Sequence, residues 1–342
     1  MSKAVTSHER PGVYSVYEAA AVVSGASRQG WAAVAARSQG GTAGTLYTLN
    51  SGREAAEAFG PKDGLTELVQ LLMANGAARV LAVPVTQDED YAEAFALLGG
   101  QEGVRVVLCD SGTLTVQQAL RDQVTADAAA QRERIAVVPG GAEETVSQLV
   151  ERAKGLNSER VVLVAPGDAR QAAAVAGAIC GQTDPALPLG GAVLTGVSGP
   201  AERYTEQELD TLILGGVTTL EQAQGQCMVI RGVTTRTTTG EAPDTTWREL
   251  GTILVVDDVI PGIRAALRAR FPRAKNTAQT RGAIRSQVIL ELERKLAAEI
   301  IAGYGEVTVQ ALEDRPTVCL VTFSFTVALG LNQIWLSAQI AV

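Results

Sequence analysis

The chain has 342 residues, 37 acidic against 29 basic side chains for a net charge of −8, 46% hydrophobic residues and only 4% aromatic ones. That length suffices for two or three domains with real cores, and the composition belongs to a folded α/β protein rather than a disordered one. Four cysteines without a Cys-x-x-Cys pair and a single histidine, His8, argue against a disulfide framework, a multi-histidine metal centre and Ser-His-Asp or Cys-His chemistry.

No apolar run approaches the length of a membrane span, and the polar start lacks the apolar centre of a signal peptide, so a cytoplasmic origin is expected. Residues 1–20 read as an extended arm. Arg10-Pro11-Gly12 breaks regular structure, and Val13, Tyr14, Val16 and Tyr17 follow with strand-forming chemistry. Residues 21–90 read as a small α/β unit, with strands at 20–23, 31–36, 45–49 and 79–85 and helices at 51–59 and 65–75. Ser51 and Glu54 form a capping box for the first helix, and Gly76 stops the second.

The region 91–233 repeats one unit: strands at 104–109, 135–138 and 161–165 are followed by helix-period segments at 116–130, 143–154 and 168–180. Near-continuous apolar strands between amphipathic helices predict a parallel sheet covered on both faces. A further helix starts at Thr205 with Glu208 completing a capping box and Leu209, Leu212 and Ile213 as its stripe; a strand at 227–230 closes the region.

Past a threonine-rich stretch, 234–330 reads as an α+β domain. The run 252–256 leads into a helix with Val259, Ile263, Ala266 and Leu267 on one face, Pro261 in its first turn and Phe271-Pro272 at its end. A second helix spans 280–302, with Ile284, Val288, Leu292, Leu296 and Ile300 at four-residue spacing and Gly303 as its stop. Runs 306–312 and 318–329, joined by 313–316, predict a β-hairpin. Residues 331–342 form a last strand, with Ile334, Leu336, Ala338, Ile340 and Val342 on one face and Gln333, Ser337 and Gln339 on the other. So apolar a strand needs a sheet edge to pair with, in its own domain or a neighbouring molecule.

Chemistry is sparse. The loops at the strand ends, 110–113, 140–141 and 167–168, carry neither a Gly-x-Gly-x-x-Gly fingerprint nor a phosphate loop, and Gly turns with Ser111 or Asp168 as helix caps account for them. Ser198 lacks the Gly-x-Ser-x-Gly elbow and any histidine in its domain. Asp257-Asp258 could bind a cation or act as acid and base, but a pair just before a helix is more simply a cap. No catalytic, metal-binding or cofactor-binding residue is therefore assigned. Between 259 and 290 stand Arg264, Arg268, Arg270, Arg273, Lys275, Arg281 and Arg285 without one acid, which fits an acidic partner surface as well as a solvated helix face.

The ordered motifs resemble the contractile tail sheath family of myophages, phage-derived bacteriocins and injection machines. The likeness rests on Arg10-Pro11-Gly12-Val13-Tyr14, on 51–60 ending Ala58-Phe59-Gly60, and above all on 255–304 with Asp257-Asp258, Ala274-Lys275-Asn276-Thr277, Arg281, Ile284 and 296–303. It implies a subtilisin-like, non-proteolytic, three-layer α/β middle domain, an α+β carboxyl-terminal domain and extended terminal arms. It implies a structural protein without cofactor that forms stacked six-subunit rings around an inner tail tube and contracts to drive the tube through a cell envelope. Baseplate and terminator proteins would be its further partners, with no nucleic acid and no membrane insertion. Its place would be a virion tail or tail-like particle assembled in the host bacterial cytoplasm. By the same resemblance the arms, 11–17 and 332–342, add strands to neighbours, with the hairpin as acceptor and the seven cations toward the tube. The alternative from another class is an oligomeric α/β enzyme or sensor binding a nucleotide or small acid. Nucleic-acid binding through the basic segment is disfavoured by the acidic total and the lack of interleaved aromatics.

Overall fold

The computed structural model describes residues 30–332 apart from 142 and 201–203. The arm residues Val13, Tyr14, Val16, Ile334, Leu336, Ile340 and Val342 and the strand expected at 20–23 lie outside the described residues.

The elements run β1 (Trp31–Arg37), β2 (Tyr47–Leu49), α1 (Gly52–Phe59), α2 (Gly64–Ala74), β3 (Arg79–Val85), α3 (Tyr91–Gly99), β4 (Val104–Cys109), α4 (Leu114–Ala129), β5 (Ile135–Pro139), α5 (Val146–Leu156), β6 (Val161–Ala165), α6 (Ala169–Gly181), β7 (Val193–Leu194), α7 (Glu206–Leu214), β8 (Val217–Ala223) and β9 (Gln226–Arg231). A small hairpin, β10 (Thr238–Thr239) and β11 (Ala242–Pro243), precedes α8 (Leu250–Arg270) and α9 (Ala278–Ala297), and β12 (Ile301–Tyr304), β13 (Thr308–Ala311), β14 (Cys319–Thr322) and β15 (Phe325–Val327) follow.

One sheet of order β2-β3-β1-β4-β5-β6-β8-β9-β7 carries the first two thirds of the chain, and β3, β1, β4, β5, β6 and β8 run parallel within it. Alternation divides its side chains: Ala32, Val34, Val106, Leu108, Ile135, Val137, Val162 and Val164 join the core under α1, α2 and α6, while Ala33, Ala35, Val107, Ala136, Val138 and Leu163 join the core under α3, α4, α5 and α7. The layers are helix, sheet, helix, as the apolar strands require. The described strands of residues 21–90 pair directly with those of 91–233. β1 sits between β3 and β4, so the described strands of that segment are the continuation of the same sheet.

Local chemistry explains the helix starts. Thr145 with Gln148, Asp168 with Gln171, and Thr205 with Glu208 form reciprocal capping boxes. Ser51 caps α1 by accepting from Glu54 N, but the Glu54 carboxylate reaches back to Asn50 N at 2.9 Å. Among the elements that escaped the periodicity reading are α3 and β8. α3 follows a tight acidic turn, and β8 contains Thr218 and Thr219 in full burial. Thr218 is accommodated because its hydroxyl donates to Val233 O at 2.8 Å and accepts from Val233 N at 2.9 Å.

The carboxyl-terminal region departs from expectation in three ways. α8 begins at Leu250, so 252–256 is helical and Pro261 lies in its interior rather than its first turn. The proline removes the hydrogen bond to the Asp257 carbonyl, a loss of ~3 kcal/mol in an exposed helix. α8 tolerates it because both sides are buried: Leu250, Ile253, Leu254, Val256 and Ile260 pack into the sheet core, and Val255, Val259, Ile263 and Leu267 into the terminal core. Second, α9 stops at Ala297 instead of 302, and Gly303 belongs to a strand. Glu299 takes φ 57° there, Glu299 N donates to Leu296 O and Ile300 N to Lys295 O. This is a Schellman cap with glutamate where glycine is usual. Third, 318–329 is two strands, because a one-residue offset in pairing separates β14 from β15.

Candidate functional site

A catalytic or ligand site would be sought first at the carboxyl ends of the parallel strands, where the chain order reverses around β1. That crevice is closed by its own residues. Arg37 N donates to Asp110 at 3.0 Å, the Arg37 guanidinium pairs with Asp88 at 2.6 Å, Thr113 Oγ1 donates to the same carboxylate at 2.9 Å, and Tyr91 Oη donates to Asp110. Burial pushes the Asp110 carboxyl up, opposed by the Tyr91 and Arg37 bonds, and pushes the Tyr91 phenol up as well. Ser111 Oγ accepts from Thr113 N, and Asp168 caps α6 by accepting from Arg170 N at 2.8 Å. Gln171 holds the Ser198 carbonyl at 3.2 Å. These groups are spent on loop geometry. Asp168→Ala is expected to lower stability by ~0.5–2 kcal/mol through the lost cap, and Ser198→Ala to leave it unchanged; thermal unfolding checks both.

Asp257 and Asp258 are not caps. They lie inside α8, where Asp257 meets the Arg160 guanidinium through two bonds of 2.8 and 2.9 Å and Asp258 pairs with Lys295 of α9. Burial holds the Asp257 carboxyl above its ordinary range, against the pull of Arg160 and Arg105. Arg160 stands at the entry to β6, Arg134 at the entry to β5 and Arg105 at the start of β4. Arg134 donates to Leu98 O and Gln101 O, and Arg105 to Gln182 O. The amino ends of the central strands therefore form a buried basic row against which α8 docks. A signal existed in the sequence: Glu133-Arg134-Ile135 and Glu159-Arg160-Val161 repeat the same charged step into a strand.

The seven cations separate in space. Arg264 is buried against Glu133, with 2.9 Å between them and side-chain exposures of 6% and 9%. It serves the junction with the sheet and is not a surface charge. The acid that pairs it lies far away in sequence, beyond the reach of a local charge reading. Arg268 reaches Gln131, Arg270 reaches Gln287, Arg281 holds Asn276 Oδ1 at 2.9 Å and Arg285 donates to Val307 O at 2.7 Å. Arg273 and Lys275 are exposed in the connection between α8 and α9. Asn276 ties that connection to the hairpin tip by donating to Pro316 O at 2.7 Å.

The open backbone of the molecule lies in the last strands. The central sheet ends in β2 with three residues and β7 with two, short edges that offer little to a second chain. By contrast β12 with β15 and β13 with β14 are two-stranded ladders, each strand paired on one side only among the described residues. Gly305 N donates to Ser324 O at 2.8 Å between them, so the two ladders form one long hairpin with a bend. Ile301, Val307 and Phe325 are buried on one face with Val288 and Leu292 of α9, and Val321, Phe323 and Val327 lie beside them. Ala302, Gln310, Leu320, Thr322 and Thr326 are exposed. A two-stranded ribbon is marginal by itself, and both of its edges present unpaired donors and acceptors.

Residues 85–235 match a family model described as the phage tail sheath protein central domain, and 242–341 match one described as the phage tail sheath C-terminal domain. The tail sheath protein of Bacillus phage SP01 is 28% identical over 255 residues, 68% of this chain and 42% of that protein. The tail sheath protein of Mycobacterium phage Bxz1 is 25% identical over 318 residues, 83% and 53% respectively. The chain thus spans about half the length of these relatives. Among solved structures, the anti-feeding prophage helical sheath in its contracted state superposes with a TM-score of 0.72 at 17% identity, covering 98% of this chain and 99% of that one. A chain of the anti-feeding prophage baseplate gives 0.75 at 16% identity, covering 99% and 100%. The sheath tail protein of Desulfitobacterium hafniense gives 0.69 at 12% identity, covering 92% and 100%. At these identities the superpositions establish the fold.

Proposed function

The chain belongs to the phage tail sheath family, and from that premise we propose that it is a structural subunit, not an enzyme, which polymerises into a contractile sheath around a tail tube and drives the tube through a cell envelope. The observation that carries this reading is the hairpin of β12–β15, open at both edges among the described residues, in a chain whose residues 333–342 carry the sequence alternation of a strand. Segments 11–17 and 332–342 of neighbouring copies would add to those edges, joining subunits through backbone ladders that can persist while the subunits rotate. Stacked six-subunit rings, docking to a baseplate and a terminator, and assembly in the host bacterial cytoplasm as part of a tail or tail-like particle complete the proposal. Within it, the doubly covered parallel sheet takes the role of a subtilisin-like domain without proteolysis. No helix among the described residues is long and apolar enough to cross a membrane.

Electron microscopy of the purified protein tests this directly. Tubes or rings are expected; discrete small oligomers that bind a nucleotide saturably would support the enzyme reading instead.

The exposed cations supply the tube contact. Arg268, Arg273 and Lys275 are placed toward an acidic tube, with Arg270, Arg281 and Arg285 beside them and Arg264 withdrawn into the junction. Single exposed pairs are worth ~0.2–1 kcal/mol, so one reversal does little. Changing Arg268, Arg273 and Lys275 together to Glu is expected to weaken assembly on the tube while leaving tube-free polymerisation intact. The difference should shrink in high salt. Equal loss with and without tube would assign these residues to a contact between subunits.

A further inference from the structure

Three of the most exposed leucines gather where the last described residues return to the loop after α6. Leu187, Leu329 and Leu331 are 59%, 79% and 72% exposed. Gly330, between the last two, lies against the Pro188 ring, where a Cβ would come within 2.8 Å of the proline Cβ. Leu187 and Pro188 belong to the loop after α6, whose Gln182 side chain donates to the carbonyl of Leu187. That loop is firmly seated, since Ala186 packs on the terminal core and Leu189 is buried in the sheet core. The three leucines therefore form a fixed apolar patch.

The start of the described chain fixes what can reach it. Gly30 lies against Cys180, so close that a side chain there would collide with the Cys180 carbonyl. Cys180 is two residues before Gln182. The described chain thus begins at Gly30 beside the same loop. Upstream stand Ala19, Ala20, Ala21, Val22 and Val23, an uncharged run, and then the polar spacer 24–29. Val23 is seven residues from Gly30, a span of up to about 25 Å, which covers the path past Cys180 and Gln182 to Leu187. Exposed apolar clusters of this kind mark contact surfaces.

We propose that residues 19–23 of the same chain cover the patch of Leu187, Leu329 and Leu331. The run clamps the root of the amino-terminal segment against the root of the carboxyl-terminal one, so that both leave the subunit from a single anchored point. The contact is made within one subunit and does not rest on the sheath reading. An assembly-incompetent monomer still shows it.

The test is disulfide trapping in a Cys319→Ser background, since Cys109, Cys180 and Cys227 are buried and burial holds the Cys180 thiol up at about 12. Val22→Cys with Leu187→Cys is expected to form an intrachain disulfide under mild oxidation, seen as a monomer of increased mobility and confirmed by peptide mass. Val22→Cys with Thr42→Cys, at the opposite end of β1, serves as the control. A Leu187 cross-link found only between chains would overturn the proposal in favour of a second copy, and cross-linking no greater than the control would overturn it altogether. A second readout needs no cysteine. Changing Leu187, Leu329 and Leu331 to Glu should speed tryptic cleavage after Arg28 about tenfold by releasing the run, with the thermal midpoint unmoved. An unchanged cleavage rate would reject the clamp.

Discussion

Removal of residues 333–342 is expected to yield a folded monomer that forms no sheath. Among the described residues the sheet has its helices on both faces, and the hairpin has α9 beneath it. Losing the segment should therefore leave the cooperative unfolding transition in place while electron microscopy shows no tubes. The effect on assembly is large because each added strand contributes a row of ladder bonds at ~0.5–1.5 kcal/mol net apiece, repeated at every subunit of the polymer. Long tubes from the truncated chain would refute strand addition. A truncated chain that unfolds would show that 333–342 pairs within its own subunit.

The second large effect is expected at the junction of the sheet and α8. Asp257→Ala should destabilise the protein by ~3–5 kcal/mol, because it takes the carboxylate partner from the buried Arg160 guanidinium and leaves its charge uncompensated, with the Arg134 carbonyl still held at 3.3 Å. Arg160 has 2% side-chain exposure and Asp257 14%, so water offers little compensation. Replacing both, Arg160→Met with Asp257→Leu, should recover most of that loss, since two apolar side chains of similar volume remove the desolvation penalty with the pair. Urea denaturation of the wild type, Arg160→Met, Asp257→Leu and the double variant gives the coupling. A loss below 1 kcal/mol in Asp257→Ala would mean that α8 is held by its apolar faces alone. The result bears on function through geometry: α8 supplies one wall of both cores, so a loosened junction would let the hairpin shift relative to the sheet.

The strands β4, β5 and β6 and the helices between them were legible from sequence because burial on both faces demands unbroken apolar runs, and a helix covering them demands a 3.6-residue stripe. The capping box at Thr205 and the cap at Asp168 are local chemistry and need no tertiary context. The hairpin was legible for the same reason, since 306–312 and 318–329 alternate and a polar turn separates them.

What only the tertiary structure decided are the relations that depend on distant partners. β8 is a strand whose buried Thr218 finds the Val233 backbone, and α9 ends early because Glu299 accepts a left-handed conformation that sequence rules reserve for glycine. Asp257 reads as a cap until Arg160 is seen opposite it, and Arg264 reads as a surface charge until Glu133 closes over it. A charge is assigned to water or to the interior by what the fold brings within 3 Å of it, and no local pattern carries that distance. The pairing of the described strands of 21–90 with those of 91–233 is a relation of the same kind: hydrogen bonds between β1 and β4 join residues that the chain keeps far apart. Periodicity reports which face of an element is buried, and tertiary pairing alone decides against what.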